Sequence, residues 1–284
     1  MSALLFLAQT LRIATPYLFA AAGGVIAERS GIVSLGLEGF MLAGAAAAAF
    51  GAYAGDSVWL GVLAGAAGGT AVAAIYAIVT VRYRADQIVS GIAINLLAIG
   101  LTRFALRVAF GSSSNSPRVP GLTGSLGNPL VLAGLAVIPL TGLLVARTRF
   151  GLRLRAAGEH PAAAESLGID VRRIRAIAVL LSGALAGLGG TYLALDQHQF
   201  SDEMTAGRGF IALAAVIFGR WDPPRVGVAC LLFAAAETAE IHLQASSILP
   251  SQLVAMIPYV LTIIALAGVV GRSIPPAALG TSPS

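Results

Sequence analysis

Apolar runs of about twenty residues recur from one end of this chain to the other, and each is as long as a helix needs to be to cross a bilayer. No other property restricts the possible folds as strongly. The runs lie at 4–26, 33–51, 57–80, 88–110, 129–146, 175–196, 226–244 and 252–271. A further run, 208–219, is short for a full crossing. It reads as a re-entrant or broken helix, or as a crossing if it begins near Met204. In hydrocarbon each backbone N–H and C=O must be satisfied inside its own segment, so apolar spans of this length are helical. The expected fold is an all-α, polytopic membrane bundle of about eight to nine segments.

Composition agrees. Only 11% of the 284 residues are charged, against about 25% in a soluble domain. Residues 1–272 read as one transmembrane domain, and 273–284, with Pro275 and Pro276, as a flexible C-terminal tail. A cleaved signal peptide is the weaker reading of the N-terminus: Arg12 interrupts the run, there is no basic leader, and Ala20, Ala21 and Ala22 fit a cleavage site only loosely.

All eighteen basic residues are arginine. The absence of lysine excludes a Walker A loop and a Schiff-base chemistry on this chain. The net charge of +5 sits in loops beside spans, so it reads as membrane orientation and not as nucleic-acid binding. Seven arginines crowd the polar stretch 147–175: Arg147, Arg149, Arg153, Arg155, Arg172, Arg173 and Arg175. Placing it inside the cell, with 208–219 as a crossing, puts thirteen of the eighteen arginines on the cytoplasmic side. The N-terminus then lies outside and the C-terminus inside.

Within 147–175 there is a short helix signal. Pro161 suits a first helical position, Ala162, Ala163, Ala164 and Glu165 follow, and Gly168 suits the residue after the cap. Asp170 is placed to cap the next helix. A linker needs none of this, whereas a slim helix with defined ends suits a partner's groove.

Two stretches interrupt the spans, 27–44 (AERSGIVSLGLEGFMLAG) and 204–221 (MTAGRGFIALAAVIFGRW). Gly-punctuated segments that also carry charge point to a broken-helix pathway, while plain helix packing accounts for glycines elsewhere, as in 61–74. Glu38, Asn95, Glu237 and Glu240 stand inside apolar runs. A charge there costs about 2.5–3.5 kcal/mol, so it faces protein or water. The candidate path residues are Ser34, Glu38, Phe40, Asn95, Phe210 and Glu237, with Tyr17 as a further aromatic. Arg103 and Arg107 are explained by snorkelling, and Cys230 by apolar burial.

No catalytic or metal-ligating set is assigned. His160, His198 and His242 are scattered, no HExxH occurs, and neither Ser90 nor Ser182 has a histidine on a matching face. A membrane-embedded enzyme is therefore disfavoured. A stand-alone secondary transporter or channel, with Glu38, Glu237 and Glu240 binding protons, stays open.

Five stretches also resemble the permease subunits of bacterial ABC importers of the branched-chain amino acid and simple-sugar class, closest to the nucleoside-type branch. They are 27–44, 86–104 (DQIVSGIAINLLAIGLTRF), 150–169 (FGLRLRAAGEHPAAAESLGI), 181–195 (LSGALAGLGGTYLAL) and 204–221. The resemblance implies an importer transmembrane domain that encloses half of a path for a nucleoside or simple sugar. It implies a partner ATPase subunit that binds the ATP, a second homologous permease subunit and an extracytoplasmic solute-binding protein, with no cofactor on this chain. Gly158, Glu159, Pro161, Ala162, Ala163, Glu165 and Gly168 fall on the family's ATPase-coupling loop. One departure is Ser34, where that branch often has asparagine.

Overall fold

The computed structural model describes residues 3–122, 127–245 and 274–281. Those residues form α1 (Ala3–Arg29), α2 (Leu37–Gly55), α3 (Val58–Ala77, continued by a π turn, Ile78–Arg82), α4 (Gln87–Phe110), α5 (Pro129–Arg147), α6 (Arg149–Glu159), α7 (Pro161–Ser166), α8 (Val171–Asp196), α9 (Arg208–Phe218) and α10 (Pro223–Ala245). Among the described residues, seven helices are long and apolar enough to cross a membrane, and α9 is a shorter apolar helix. The expected span at 252–271 lies outside the described residues.

Polar residues punctuate the spans. Side chains of Asp86, Asn128, Thr148 and Asp170 accept from the backbone N–H groups of Val89, Leu130, Gly151 and Arg173 and so start α4, α5, α6 and α8. Each cap satisfies one of the backbone donors that a helix N-terminus leaves without an intrahelical partner.

The first helix is the centre of the bundle, buried without interruption from Ala14 to Glu28. It packs against α5, α8, α9 and α10, while α2, α3 and α8 pack on one another beside it. Small residues allow that second cluster. A Cβ on Gly187 would stand 2.6 Å from the Gly65 carbonyl oxygen and 3.1 Å from Gly69 Cα. Lipid tails are as apolar as leucine, so close van der Waals contact replaces hydrophobic burial as the force between such helices.

The ninth helix, with the turns before it, runs between two sets of polar contacts. Asp202 and Glu203 lie beside Arg103, in the last third of α4. Trp221 lies at the far end, where its carbonyl accepts from Arg29 Nε at 3.0 Å. The passage between is a turn-rich segment followed by eleven helical residues. Segment 198–202 also pairs with the loop after α4: Ser116 N donates to Phe200 O and Val119 N to His198 O, both at 2.9 Å.

Residues 274–281, within the expected flexible tail, hydrogen-bond to the end of the bundle that carries Arg29 and the 147–175 loop. Ala278 N donates to Gly158 O at 2.8 Å and Gly280 N to Gly31 O at 3.1 Å.

Candidate functional site

Two breaks meet at one place. The first, residues 30–36, separates α1 from α2, and buried polar groups hold it from several sides. Glu28 accepts from Ser34 N at 3.1 Å through one oxygen and from Trp221 Nε1 through the other. Gln87 Oε1 accepts from Val33 N at 2.8 Å, and the Tyr76 hydroxyl donates to Val33 O at 2.7 Å. Asn95 bridges the end of the break: its Nδ2 donates to Leu35 O and its Oδ1 accepts from Gly39 N, both at 2.9 Å.

The second break, before α9, is held by Glu38. One carboxylate oxygen accepts from the Thr205 hydroxyl at 2.6 Å and Gly207 N at 2.9 Å; the other accepts from Gly209 N at 2.7 Å. Glu38 stands in the first turn of α2 and reaches the N-terminus of α9, so a negative charge faces the positive ends of two helices. Glu203 and Ala206 have φ of 52° and 46°, left-handed values that L residues avoid. This backbone is strained, and its polar contacts hold it in place.

Between the breaks lies a cavity of about 390 Å³ lined by Glu38, Asn95, Thr205, Gly207 and Phe210, with Leu42, Ile92, Leu96 and Ile99 as apolar wall. That size and mixture suit a small polar solute. Gly209 sets the spacing, since a Cβ there would meet Glu38 N at 2.5 Å and Cα at 2.6 Å. Gly209→Ala should push α9 from α2, cost about 1–3 kcal/mol by overpacking, and raise the reactivity of a cysteine placed at Met204, which is buried in the second break. Thiol labelling of the purified protein checks this, and unchanged reactivity would contradict the packing argument.

Of the expected path residues, Glu38, Asn95 and Phe210 come together around this cavity. Ser34 is buried in the first break, its hydroxyl directed at Gly24 O at 3.4 Å. Phe40 is buried edge-on against Tyr76, with ring centroids 5.9 Å apart. Glu237 lies away from the cavity, accepting from Arg208 Nη2 at 2.8 Å and from the Tyr17 hydroxyl. Sequence reasoning missed Glu28, Tyr76, Gln87 and Trp221. Glu28 stands at the end of an apolar run, where solvent would account for a carboxylate. Among the described residues no cluster of His, Cys, Asp or Glu could hold a metal ion.

The 147–175 loop has an element that its sequence did not announce, α6, which precedes the expected short helix. Its Leu154 and Ala157 pack with Ile26 of α1, Ala164 of α7 and Ile174 of α8. The short helix α7 starts at Pro161, and Gly168 follows its cap with φ +78° and donates to Glu165 O at 2.9 Å. Ala162, Ala163 and Glu165 are exposed and Ala164 is buried. Gly158 is buried under Arg29, and the Glu159 carboxylate accepts from Ala277 N at 3.2 Å. The loop therefore presents a slim outer face and rests on the ends of α1, α6 and α8.

Known proteins share this sequence over nearly its full length. The family model described as branched-chain amino acid transport system / permease component matches residues 6–266. The guanosine ABC transporter permease protein NupQ of Bacillus subtilis is 37% identical, over 95% of this chain and 93% of that protein. The nucleoside ABC transporter permease protein NupC of Lactococcus lactis is 36% identical over 98% and 96%. The putative glucose ABC transporter permease protein TsgC13 of Haloferax volcanii is 33% identical over 84% and 78%.

Proposed function

Since this chain belongs to the family of branched-chain amino acid transport system permease components, and is thus a multi-pass transport protein of the bacterial cytoplasmic membrane and not an enzyme, we propose that it forms half of the path of an ATP-driven importer for a nucleoside or simple sugar. Its relatives' transport of guanosine, nucleosides and glucose supports that solute class. A separate ATPase binds the ATP, and a binding protein outside the membrane delivers the solute. A second homologous permease subunit closes the open side of the cavity, where Phe210 is 46% exposed.

The observation that carries the coupling role is α7: six residues, proline-started and glycine-ended, with Ala162 and Ala163 facing outward. Small side chains let such a helix seat in a partner's groove. The ATPase pair closes on nucleotide and displaces α7. Movement passes through the shared apolar contacts of α6, α7 and α8 to the end of α1, and from there to the breaks around the cavity.

Two measurements test this reading. A lone cysteine at Ala163 (Cys230→Ser background) should resist a membrane-impermeant maleimide in intact cells and react in inside-out vesicles. Labelling in intact cells would put the helix out of the ATPase's reach. In proteoliposomes, the complex co-purified with its ATPase should accumulate a labelled nucleoside or glucose only with ATP inside the reach of that ATPase. Uptake by this chain alone, driven by a proton gradient, would instead establish a secondary transporter.

A further inference from the structure

Arg175, near the start of α8, is fully buried, at 0% exposure. The acceptors of its guanidinium are backbone carbonyls: Nε donates to Ser30 O at 3.0 Å, Nη1 to Thr281 O at 2.8 Å and Nη2 to Ala157 O at 3.5 Å. Ser30 directly follows α1, and Ala157 is in the last turn of α6. A cation is favoured at the negative end of a helix dipole, and this one serves two helix ends at once. Burying an arginine is costly, and an apolar side chain of similar volume would fill the same space more cheaply. What the guanidinium adds is a fixed fork of donors that ties separate strands of chain together.

The C-terminal segment is the third strand in that tie. Ala278, 5% exposed, donates to Gly158 O, Gly280 donates to Gly31 O, and Ala277 donates to the Glu159 carboxylate. The fit leaves no slack: a Cβ on Gly31 would stand 2.7 Å from Arg175 Nη2 and 3.0 Å from Ala278 O. Gly31 needs its left-handed φ of +97° to turn the chain there. One side of the tie is the end of α6, directly before α7. The other is the 30–36 break, whose far end is held by Asn95 at the cavity wall.

We propose that residues 274–281 and Arg175 form a clamp that carries displacement of α7 into the 30–36 break, and that the clamp serves coupling and not assembly. The proposal rests on the importer reading above. Apolar packing joins α7 to α6, α8 and the end of α1, and the clamp adds a directional, hydrogen-bonded link from the end of α6 to the break. Without the C-terminal segment, Gly158 and Gly31 each lose a backbone hydrogen bond, and Arg175 loses its shortest one.

The test uses the whole complex, this permease with its ATPase, second permease and binding protein, in lipid nanodiscs and proteoliposomes. One variant ends after Ser273; a second carries Arg175→Met and a third Arg175→Lys. The truncated complex should retain its ATPase and hydrolyse ATP at the basal rate, while solute moved per ATP falls about five- to a hundredfold, the usual range of a coupling energy. Arg175→Lys should recover part of that ratio and Arg175→Met none, because a lysine supplies charge without the fork. A truncated complex with wild-type solute per ATP overturns the clamp. So does one that sheds its ATPase, since the segment would then serve assembly. Wild-type complex that shows no ATP-driven uptake defeats the importer reading itself, and the clamp with it.

Discussion

Gly187→Val should prevent this protein from accumulating as a folded species, whereas Gly100→Val should not. Both glycines lie inside long apolar helices, α8 and α4, so helix propensity does not separate them. Space does. A Cβ on Gly187 meets the backbone of α3, at Gly65 O and Gly69, and a Cβ on Gly44 of α2 would in turn meet the backbone of Gly187. The α3 backbone atoms cannot rotate away, so α8 and α3 must separate to admit the side chain, in a contact that α2 shares. Overpacking a core costs about 1–3 kcal/mol when side chains can adjust, and here backbone would have to move. A Cβ on Gly100 has nothing within 4 Å. The comparison needs fluorescence-detected size exclusion of the two variants in mild detergent, with a melting series on whatever is monodisperse. Equal monodisperse yield from both would refute the view that this three-helix contact sets stability.

The same contrast explains what could be read from sequence. Spans were legible because hydrocarbon converts any apolar run of sufficient length into helix, and the seven described long helices fall where those runs lie. The break before α2 was only half legible. Ile32, Val33 and Leu35 are apolar and locally could be helical, and 33–51 reads as one span. What unwinds them lies outside the segment: Glu28 at the end of α1 and the distant Tyr76, Gln87 and Asn95 take the backbone donors and acceptors that a helix would otherwise use. Nothing within the segment encodes those partners. Likewise α6 hid among arginines and two glycines, because its apolar stripe is only Leu154, Ala157 and their neighbours and gains its meaning from Ile26 and Ile174. Pro275 and Pro276 read as a tail because proline cannot donate, yet the donors in use belong to Ala277, Ala278 and Gly280. At the cavity, residue type pointed to Glu38, Asn95 and Phe210 together. It could not separate them from Glu237, since a buried carboxylate looks the same in sequence whether it borders a cavity or pairs with Arg208.

Glu38→Gln is expected to abolish coupled uptake although it keeps the size and shape of the side chain. Glu38 receives three donors on two oxygens, from Thr205, Gly207 and Gly209. A glutamine offers one oxygen and turns an NH₂ group toward either the Gly209 N–H or the other pair, donor against donor. Hydrogen bonds to a charged acceptor are worth about 1.5–3 kcal/mol each, and a buried donor left unmade adds its own desolvation cost. Losing one such contact is worth at least about a factor of ten in the population of the held state. The strained turn at Glu203 and Ala206 should then loosen, since the Glu38 contacts to Thr205, Gly207 and Gly209 help to hold its left-handed backbone. Glu38→Ala should go further, releasing all three donors, while Glu38→Asp falls a methylene short and should rank beside Gln. Three readings decide the matter on the assembled complex: uptake, ATP hydrolysis and thiol reactivity at Met204→Cys, a position in the same break that is buried. The expected pattern is lost uptake, persisting hydrolysis and a reactive thiol. If Gln supports uptake at the wild-type rate with the thiol still protected, Glu38 is no clamp on the second break, and some other contact must be holding α9 against the cavity.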